Sequence, residues 1–368
     1  MKNKTKIIFL VSEFLPGPGG IGNQAYCLSK YLSQSDFELI IIAPDRLSFN
    51  SELFDSKEKM KIIRYSESSF FKIFHIISLI SKQYLENKGA VLISSGLIPL
   101  IIIGLLSKFF NSKKIVIFHG HETLMGNIIL KQISKYSIRG YDKIIAVSNF
   151  SSNLLNKINL KNKINVLNNG FDLKRFKIFD VQKRKSDSDL VLITVGSLSD
   201  RKGQHNVIKA LPLLRKHYKR IKYHMVGPDN IKRKILDLAI SLNVQDLIHF
   251  HGYLDDKSLS ELFSVSDIFI MLSENLPNGE VEGFGIAILE ANYFGLPAIG
   301  SKGCGIEDAI QNEETGYLID NHSPVELKNA VEKIMDNYHY FSIASKEWSK
   351  KNDWSIVSKK YIKLIQNL

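Results

Sequence analysis

Short apolar runs punctuate the chain at intervals that leave room for a helix between one run and the next. Those at residues 7–11, 38–43, 61–64, 91–94, 115–119, 143–148 and 164–167 are rich in Ile and Val and too short for helices, which predicts strands buried on both faces. A charged, weakly hydrophobic stretch follows at 174–189. The rhythm then restarts at 190–195, 222–226, 248–250, 267–271, 297–299 and 317–319. Strands separated by amphipathic segments predict βαβ units and parallel sheets, one set on each side of a linker lying between 172 and 189.

Length agrees with two sets, because 368 residues exceed what one hydrophobic core usually organises. The expected domains are 1–172 and 173–352. A hydrophobic content of 44% with 23% charged residues excludes disordered and fibrous classes. The only cysteines, Cys27 and Cys304, lie 277 positions apart without metal-ligand spacing. A disulfide framework and a zinc site are therefore not expected, a reducing compartment fits, and each thiol is read as a small buried hydrophobe. The basic start at 1–6 runs straight into the apolar run at 7–11, which is too short for a signal peptide and has no cleavage site, so it is read as the first strand.

Residues 90–107 carry no charge over 18 positions, the length at which a membrane-spanning helix must be considered. Ser94, Ser95, Gly96 and Pro99 inside it favour a strand followed by a buried helix. Segment 70–85 has apolar residues at helical spacing among Lys72, His75 and Lys82, which predicts a core helix, with a membrane surface as the alternative. The net charge is +12 and uneven: residues 1–172 hold 22 Lys and Arg against 12 acids, and 173–368 hold 27 against 25. A +10 first half suits an anionic partner or is simply a solvated Lys-rich surface. Nucleic acid is not expected, since no recognised motif accompanies the charge and the basic residues are not gathered with aromatics.

Chemistry concentrates in two places. The first is Glu282-Gly283-Phe284-Gly285-Ile286, with Glu290 further on, after the run at 267–271 and a polar loop holding Pro277 and Gly279. Glycines there open a segment of good helix formers, and a helix N-terminus offers free amides and the positive end of the dipole, so the N–H groups near Phe284, Gly285 and Ile286 suit a diphosphate. Counted from Gly283, Glu290 falls two turns, roughly 10 Å, along the same face. There it can chelate a ribose diol while Glu282 accepts from sugar hydroxyls. The plainer alternative is a surface helix whose two glutamates favour its N-terminal region. The second place is Gly196-Ser197-Leu198-Ser199-Asp200-Arg201-Lys202-Gly203, directly past the first strand of the second domain, where open α/β sheets bind ligands. Arg201 and Lys202 would supply the positive charge a diphosphate leaving group needs when no metal is present.

With both motifs in place, the chain resembles glycosyltransferase family 4, the retaining GT-B transferases, over most of its length. The resemblance implies an α/β GT-B fold of two Rossmann-like domains with parallel sheets facing across a cleft. The first domain, joined by a C-terminal crossover helix at 353–368, would be the acceptor side and the second would hold the nucleotide sugar. Gly19-Gly20-Ile21-Gly22 resembles the family's glycine loop against the diphosphate and acceptor, with Gly20 and Gly196 as donor contacts. His119 matches the histidine near the donor sugar. Val147-Ser148, and Asn169-Gly170-Phe171-Asp172 with Phe176, match further landmarks, and Gly252-Tyr253-Leu254 resembles the base-binding loop, with Leu254 at the nucleobase. Ser197 stands where the family often has arginine, and Arg201 is expected to take over that role.

The segment from Asn278 to Gly285 is similar to the branch containing phosphatidylinositol mannosyltransferases and bacterial surface-polysaccharide enzymes. The implied reaction moves a hexose from a nucleoside-diphosphate sugar to an acceptor hydroxyl with retention, in envelope polysaccharide, lipopolysaccharide or glycolipid assembly. His119, Arg201, Lys202 and Glu282 form the implied catalytic set; Gly283, Phe284, Gly285, Ile286 and Glu290 bind donor; no metal or other cofactor is required. Front-face attack is expected rather than a covalent intermediate, because no well-placed nucleophile is evident, and closure of the domains is expected to assemble the site. Expected partners are the nucleotide sugar, a lipid-linked acceptor and an anionic membrane surface, with the protein cytoplasmic and peripheral on the inner face of the membrane.

Two other readings compete. Gly17-Pro18-Gly19-Gly20-Ile21-Gly22 satisfies G-x-G-x-x-G, with Asp45 following at about the spacing of an NAD(P)-dependent oxidoreductase. Residues 13–16, however, separate the strand from the first glycine, and Arg201, Lys202, Glu282 and Glu290 are left without a purpose. His119-Gly120-His121-Glu122 has metal-ligand chemistry, but all of it comes from one tight stretch with no distant ligand. A lone His closing a buried strand is also often a satisfied core group.

Overall fold

A computed structural model describes residues 4–17, 19–46, 50–67, 71–158, 160–176 and 189–368. The basic residues 1–3, Pro18, Phe70 and most of the expected linker, 177–188, lie outside the described residues. All thirteen apolar runs are strands. Seven form one sheet: β1 (Thr5–Val11), β2 (Phe37–Asp45), β3 (Lys61–Ser66), β4 (Val91–Ser95), β5 (Lys114–Phe118), β6 (Lys143–Ala146) and β7 (Ile164–Val166). Six form another: β8 (Asp189–Val195), β9 (Arg220–Val226), β10 (Ile248–Gly252), β11 (Ile268–Met271), β12 (Ala298–Ser301) and β13 (Gly316–Ile319).

Every pairing in both sheets is parallel, and helices supply the crossovers except between β12 and β13, where a 3-10 turn, Gly305–Asp308, does so. The first sheet has the order β3-β2-β1-β4-β5-β6-β7 and carries α1 (Gly20–Ser33), α2 (Ser51–Asp55), α3 (Lys72–Glu86), α4 (Leu97–Leu105), α5 (Ile128–Ser137) and α6 (Asn149–Leu154). The second has the order β10-β9-β8-β11-β12-β13 and carries α7 (Gln204–Leu214), α8 (Lys232–Ser241), α9 (Asp256–Val265), α10 (Ile286–Tyr293), α11 (Pro324–Asp336) and α12 (Tyr338–Lys351). Each order reverses once, between β1 and β4 and between β8 and β11. At such a point the crossovers on the two sides diverge and leave a crevice at the strand carboxyl ends.

Burial explains why the strands are legible. Ile7, Ile8, Phe9, Leu10 and Val11 of β1 are all fully buried, because the sheet is covered on both faces and no position can be polar without loss. The uncharged stretch 90–107 divides into β4, a bend at Gly96, and α4, with Pro99 in the first turn, where no intrahelical N–H is needed. Among the described residues no helix is long and apolar enough to cross a membrane. Cys27 and Cys304 are both buried free thiols, and burial pushes Cys304 up to about 11, so it packs as a hydrophobe.

The chain forms two compact units, Met1–Gly170 with Trp354–Leu368, and Phe171–Asp353. The final helix, α13 (Trp354–Gln366), thus joins the first unit, where it packs on α1. Trp354 and Tyr361 are buried with their ring centroids 6.0 Å apart, and the Tyr361 hydroxyl donates to the Leu167 carbonyl at 3.3 Å. Trp354→Ala should therefore destabilise the first unit by about 3–5 kcal/mol, the usual cost of truncating a buried aromatic. Urea titration read by circular dichroism checks this; an unchanged unfolding curve would show that α13 is dispensable for the unit.

Candidate active site

In the second unit the crevice between the ends of β8 and β11 collects the charged residues singled out by sequence. Past β8 the chain makes a short turn of 3-10 helix, Asp200–Lys202, and enters α7 through Gly203. Gly203 has φ +69, and a Cβ there would lie 1.7 Å from the Leu272 carbonyl oxygen, so only glycine lets the Arg201-Lys202 turn pack against the end of β11. The loop after β11 is bound to that turn. The Glu274 N–H donates to the Arg201 carbonyl at 2.8 Å, and its carboxylate accepts from Asn206 Nδ2 at 2.6 Å and pairs with His205 Nε2 at 2.9 Å. Further along, the Gly305 N–H donates to the Glu282 carbonyl at 2.9 Å, which fixes Glu282 from the β12 side.

These anchors put Arg201, Lys202 and Glu282 together. Lys202 Nζ lies 2.7 Å from Glu282 Oε2, and Arg201 Nη1 donates to the same oxygen. Glu280 adds a second carboxylate 3.9 Å from Arg201 Nε. The Lys202 stem crosses Gly196, where a Cβ would stand 3.1 Å from Lys202 Cε, so a side chain at that position would crowd the lysine. Burial raises the Glu282 carboxyl, but Lys202 and Arg201 together outweigh it and hold the group at about 2. Glu282 therefore stays ionised and is unsuited to carrying a proton near neutral pH, while burial pulls the Lys202 ammonium below the usual lysine range and Glu282 opposes that shift. Ser197 leaves this work to others: its carbonyl accepts from Gln204 Nε2 at 3.2 Å.

The glycine-opened helix differs from its expected form. Helix α10 begins at Ile286, not at Gly283, because Gly285 takes φ +88 and stops the helical conformation from extending backwards. Gly283 and Phe284 belong to the preceding loop, and Phe284 is buried. Glu290 is the fifth residue of the helix, so it stands roughly 6 Å from the helix start instead of two turns beyond a helical Gly283. It is buried, and burial pushes its carboxyl upward while Arg175 opposes the shift. Arg175 Nη1 donates to Glu290 Oε1 at 2.8 Å, its Nε donates to Asp256 Oδ1 at 2.8 Å, and its guanidinium lies 4.8 Å from the Phe176 ring centroid. Leu254 follows the end of β10, two strands across from β8, and is half-buried.

The first unit builds its own cluster at the ends of β1, β4 and β5. The Ser12 N–H donates to the Ser95 carbonyl at 3.0 Å, joining the ends of β1 and β4. His119 follows β5 directly, is buried, and has Nε2 2.9 Å from Ser95 Oγ. Burial lowers its pKa to about 4 despite the nearby Glu122, so the imidazole is neutral at pH 7. Glu122 accepts from the backbone N–H groups of His119 and Gly120, both at 2.9 Å, which commits its carboxylate to the turn. Among the described residues no three His, Cys, Asp or Glu side chains are grouped to hold a metal. The glycines after β1 divide between loop and helix: Gly17 and Gly19 precede α1, Gly20 is its first residue, and the Asn23 N–H donates to the Gly19 carbonyl at 3.0 Å. Gly17, the first glycine of the dinucleotide pattern, stands six residues beyond the end of β1, and the nicotinamide reading finds no support.

Arg175, Glu274 and Ser95 are site neighbours that the sequence did not announce. Arg175 offered one signal, its position beside the Phe176 landmark, but nothing local separates it from the basic residues around it. Ser95 stands in the sequence only as an interruption of an apolar run.

The neutral state of His119 has a measurable consequence. Its folded pKa lies below the unfolded value of about 6.5, so the unfolded chain binds the extra proton and stability falls as pH drops from about 6.5 towards 4. The loss should reach about 3 kcal/mol for this group. His119→Gln should flatten the decline measured by urea unfolding between pH 7 and 4.5; a variant with the same slope as the wild type would contradict a neutral, buried His119.

Comparison with known proteins identifies the lineage. Residues 18–175 match the family described as Glycosyltransferase Family 4, and residues 176–352 match Glycosyl transferases group 1. The GDP-mannose-dependent alpha-(1-6)-phosphatidylinositol monomannoside mannosyltransferase of Mycobacterium tuberculosis is 25% identical over 242 residues, covering 62% of this chain and 63% of that protein. The amylovoran biosynthesis glycosyltransferase AmsK of Erwinia amylovora is 22% identical over 214 residues, covering 57% and 52%. The chain thus spans between 52% and 63% of the length of these two relatives. Among solved structures, HepE of Anabaena, in complex with UDP and glucose, superposes with a TM-score of 0.79 at 16% identity over 99% of this chain and 100% of that one, which shows a shared GT-B fold. Matched by two adjoining family descriptions from residue 18 to residue 352, the chain belongs to glycosyltransferase family 4.

Proposed function

We propose that the chain transfers a hexose from a nucleoside-diphosphate sugar to an acceptor hydroxyl with retention at the anomeric carbon, in the assembly of a bacterial envelope polysaccharide, lipopolysaccharide or glycolipid. The observation that carries this reading is the buried pairing of Arg201 and Lys202 with Glu282 at the β8–β11 crevice. A guanidinium and an ammonium held by one carboxylate beside a helix N-terminus suit a departing diphosphate without a metal. Glu290 suits a ribose diol, and the loop ending at Leu254 suits the base. His119, neutral at working pH, suits hydrogen bonding to the transferred sugar.

Retention by front-face attack fits the state of Glu282. A carboxylate held at about 2 by two cations is a poor base and a weakened nucleophile, so it neither accepts the acceptor proton nor forms a glycosyl-enzyme. Instead the bond between C1 and the phosphate oxygen breaks with its electron pair going to the diphosphate. The acceptor oxygen bonds to C1 on the same face, and its proton passes to a diphosphate oxygen. Glu282 serves to aim Arg201 and Lys202, whose charge offsets the negative charge developing on the leaving group.

The relatives' names favour this choice of donor, since HepE was solved with UDP and glucose and the mycobacterial relative is named for GDP-mannose. Such donors place the work on the cytoplasmic side of the membrane, and a lipid-linked acceptor would explain why the basic charge is concentrated in the first half.

A panel of UDP- and GDP-sugars, assayed for donor hydrolysis and transfer, tests the proposal. The protein should turn over at least one of them, and UDP or GDP, unlike NAD, should raise its thermal midpoint. Arg201→Ala and Lys202→Ala should each lower kcat by about 10²–10³-fold with the circular dichroism spectrum retained. Normal turnover in either variant would remove leaving-group stabilisation from these two residues.

A further inference from the structure

The first unit wears apolar side chains on the outer side of a whole helical layer. Helices α3 and α4 and the turn Ile138–Gly140 that ends α5 bury Ile76, Ile80, Leu100, Ile103 and Ile138 in one core cluster with the strands. Helix α5 packs alongside α4, so all three cover the same face of the seven-stranded sheet. Away from that core, Phe71 is 64% exposed and Phe74 73% at the start of α3, Phe109 is 78% exposed just past α4, and Ile128 and Ile129 are 69% and 65% exposed at the start of α5. Tyr136 continues the exposed side of α5, two turns beyond Ile129. Scattered exposed apolar residues are ordinary; large ones gathered on one layer mark a surface that meets something apolar.

Charge says what. Residues 71–140 hold nine Lys and Arg against two acids, a net of +7. One of those acids, Glu122, is buried and bound to backbone amides, which leaves Glu86 as the exposed carboxylate of the segment. Lys82 on α3, Lys108 past α4, and Lys131 and Lys135 on α5 belong to the same elements as the exposed aromatics and isoleucines. A second copy of this face would bring lysines against lysines, and protein interfaces are depleted of lysine at their centres. Nucleic acid would use the lysines but leave Ile128 and Ile129 against water. An anionic bilayer uses both sets, taking the apolar groups below its headgroups and the lysines among its phosphates.

We propose that the outer face of α3, α4 and α5 is an interfacial docking surface for an anionic lipid bilayer, with Phe74, Phe109, Ile128 and Ile129 inserted to headgroup depth. No helix crosses; the contact is reversible and depends on salt. Helix α5 packs on the turn His121–Thr123 directly after His119, so its inserted end adjoins the strand ends that carry the first unit's polar cluster. The docking surface stands on its own residues, and only its use in presenting a lipid-linked acceptor rests on the transferase reading.

Co-sedimentation of the full chain with vesicles of phosphatidylcholine and phosphatidylglycerol, against vesicles of phosphatidylcholine alone, tests it, with donor hydrolysis in solution as the control for folding. The wild type should partition to the anionic vesicles and be released by high salt. Lys131→Glu/Lys135→Glu should weaken partitioning by at least about tenfold, and Phe74→Ser/Phe109→Ser should weaken it while lowering protein penetration, with solution donor hydrolysis unchanged in both. Equal binding to the two kinds of vesicle, no binding to either, or unaltered binding by both variants would overturn the proposal. A shift of the variants from dimer to monomer with vesicle binding unchanged would assign the face to a second copy instead.

Discussion

Glu282 is a buried carboxylate, and a buried charge is costly unless its partners come with it. Its two partners both lie on the turn after β8, while Glu282 lies on the loop after β11, so the charge cluster forms only when those strands are neighbours. The sheet order supplies that adjacency at the one place where its sense reverses. Much of the local architecture serves the meeting: Gly203 lets the turn approach Leu272, Glu274 ties the two loops through backbone and side chain, and Gly305 holds the Glu282 carbonyl. Removing one cation would leave the other to carry the carboxylate, whereas removing Glu282 would leave two cations facing each other. The cluster is best understood as one unit, not as three separable residues.

The first unit repeats the topology with different chemistry. Its reversal lies between β1 and β4, and the groups brought to the strand ends there are Ser12, Ser95, an imidazole that burial keeps uncharged, and the Glu122 carboxylate committed to backbone amides. Six basic residues of this unit, Lys72, Lys82, Lys108, Lys131, Lys135 and Arg139, lie instead on α3, α5 and the short turns after α4 and α5. One fold thus separates two electrostatic tasks. Fixed cations paired with carboxylates sit at the crevice of the second unit, and diffuse, mostly unopposed lysines cover the helical layer of the first.

The strands were legible because a doubly covered parallel sheet disfavours polar positions, so β1 and β11 appear as unbroken apolar runs, while β4 keeps its apolar run up to the buried Ser94 and Ser95 at its end. The division of residues 90–107 was legible as well, since Gly96 and Pro99 mark where strand gives way to helix. The start of α10 was not. Gly283 and Gly285 both suit a helix entrance, and only Gly285 takes the left-handed conformation, while the backbone at Glu282 and Gly283 is held by Gly305 from the distant loop after β12. Gly20 likewise proved to be helical because α1 begins one residue after Gly19. Arg175 shows the other limit: its carboxylate partner Glu290 is 115 positions away, and only the fold brings them together. Spacing within a motif is local information, and ion pairs between loops are not.

The central claim is that Arg201 and Lys202, aimed by Glu282, hold a nucleoside diphosphate without help from a metal. Calorimetric titration of the full chain with UDP and with GDP in the presence of EDTA measures this directly. The account predicts saturable binding of at least one nucleotide under metal-free conditions, weakened at least about tenfold by Lys202→Ala, as expected for loss of a charge-assisted contact. Binding that appears only on adding magnesium or manganese, or that is indifferent to Lys202→Ala, would contradict it.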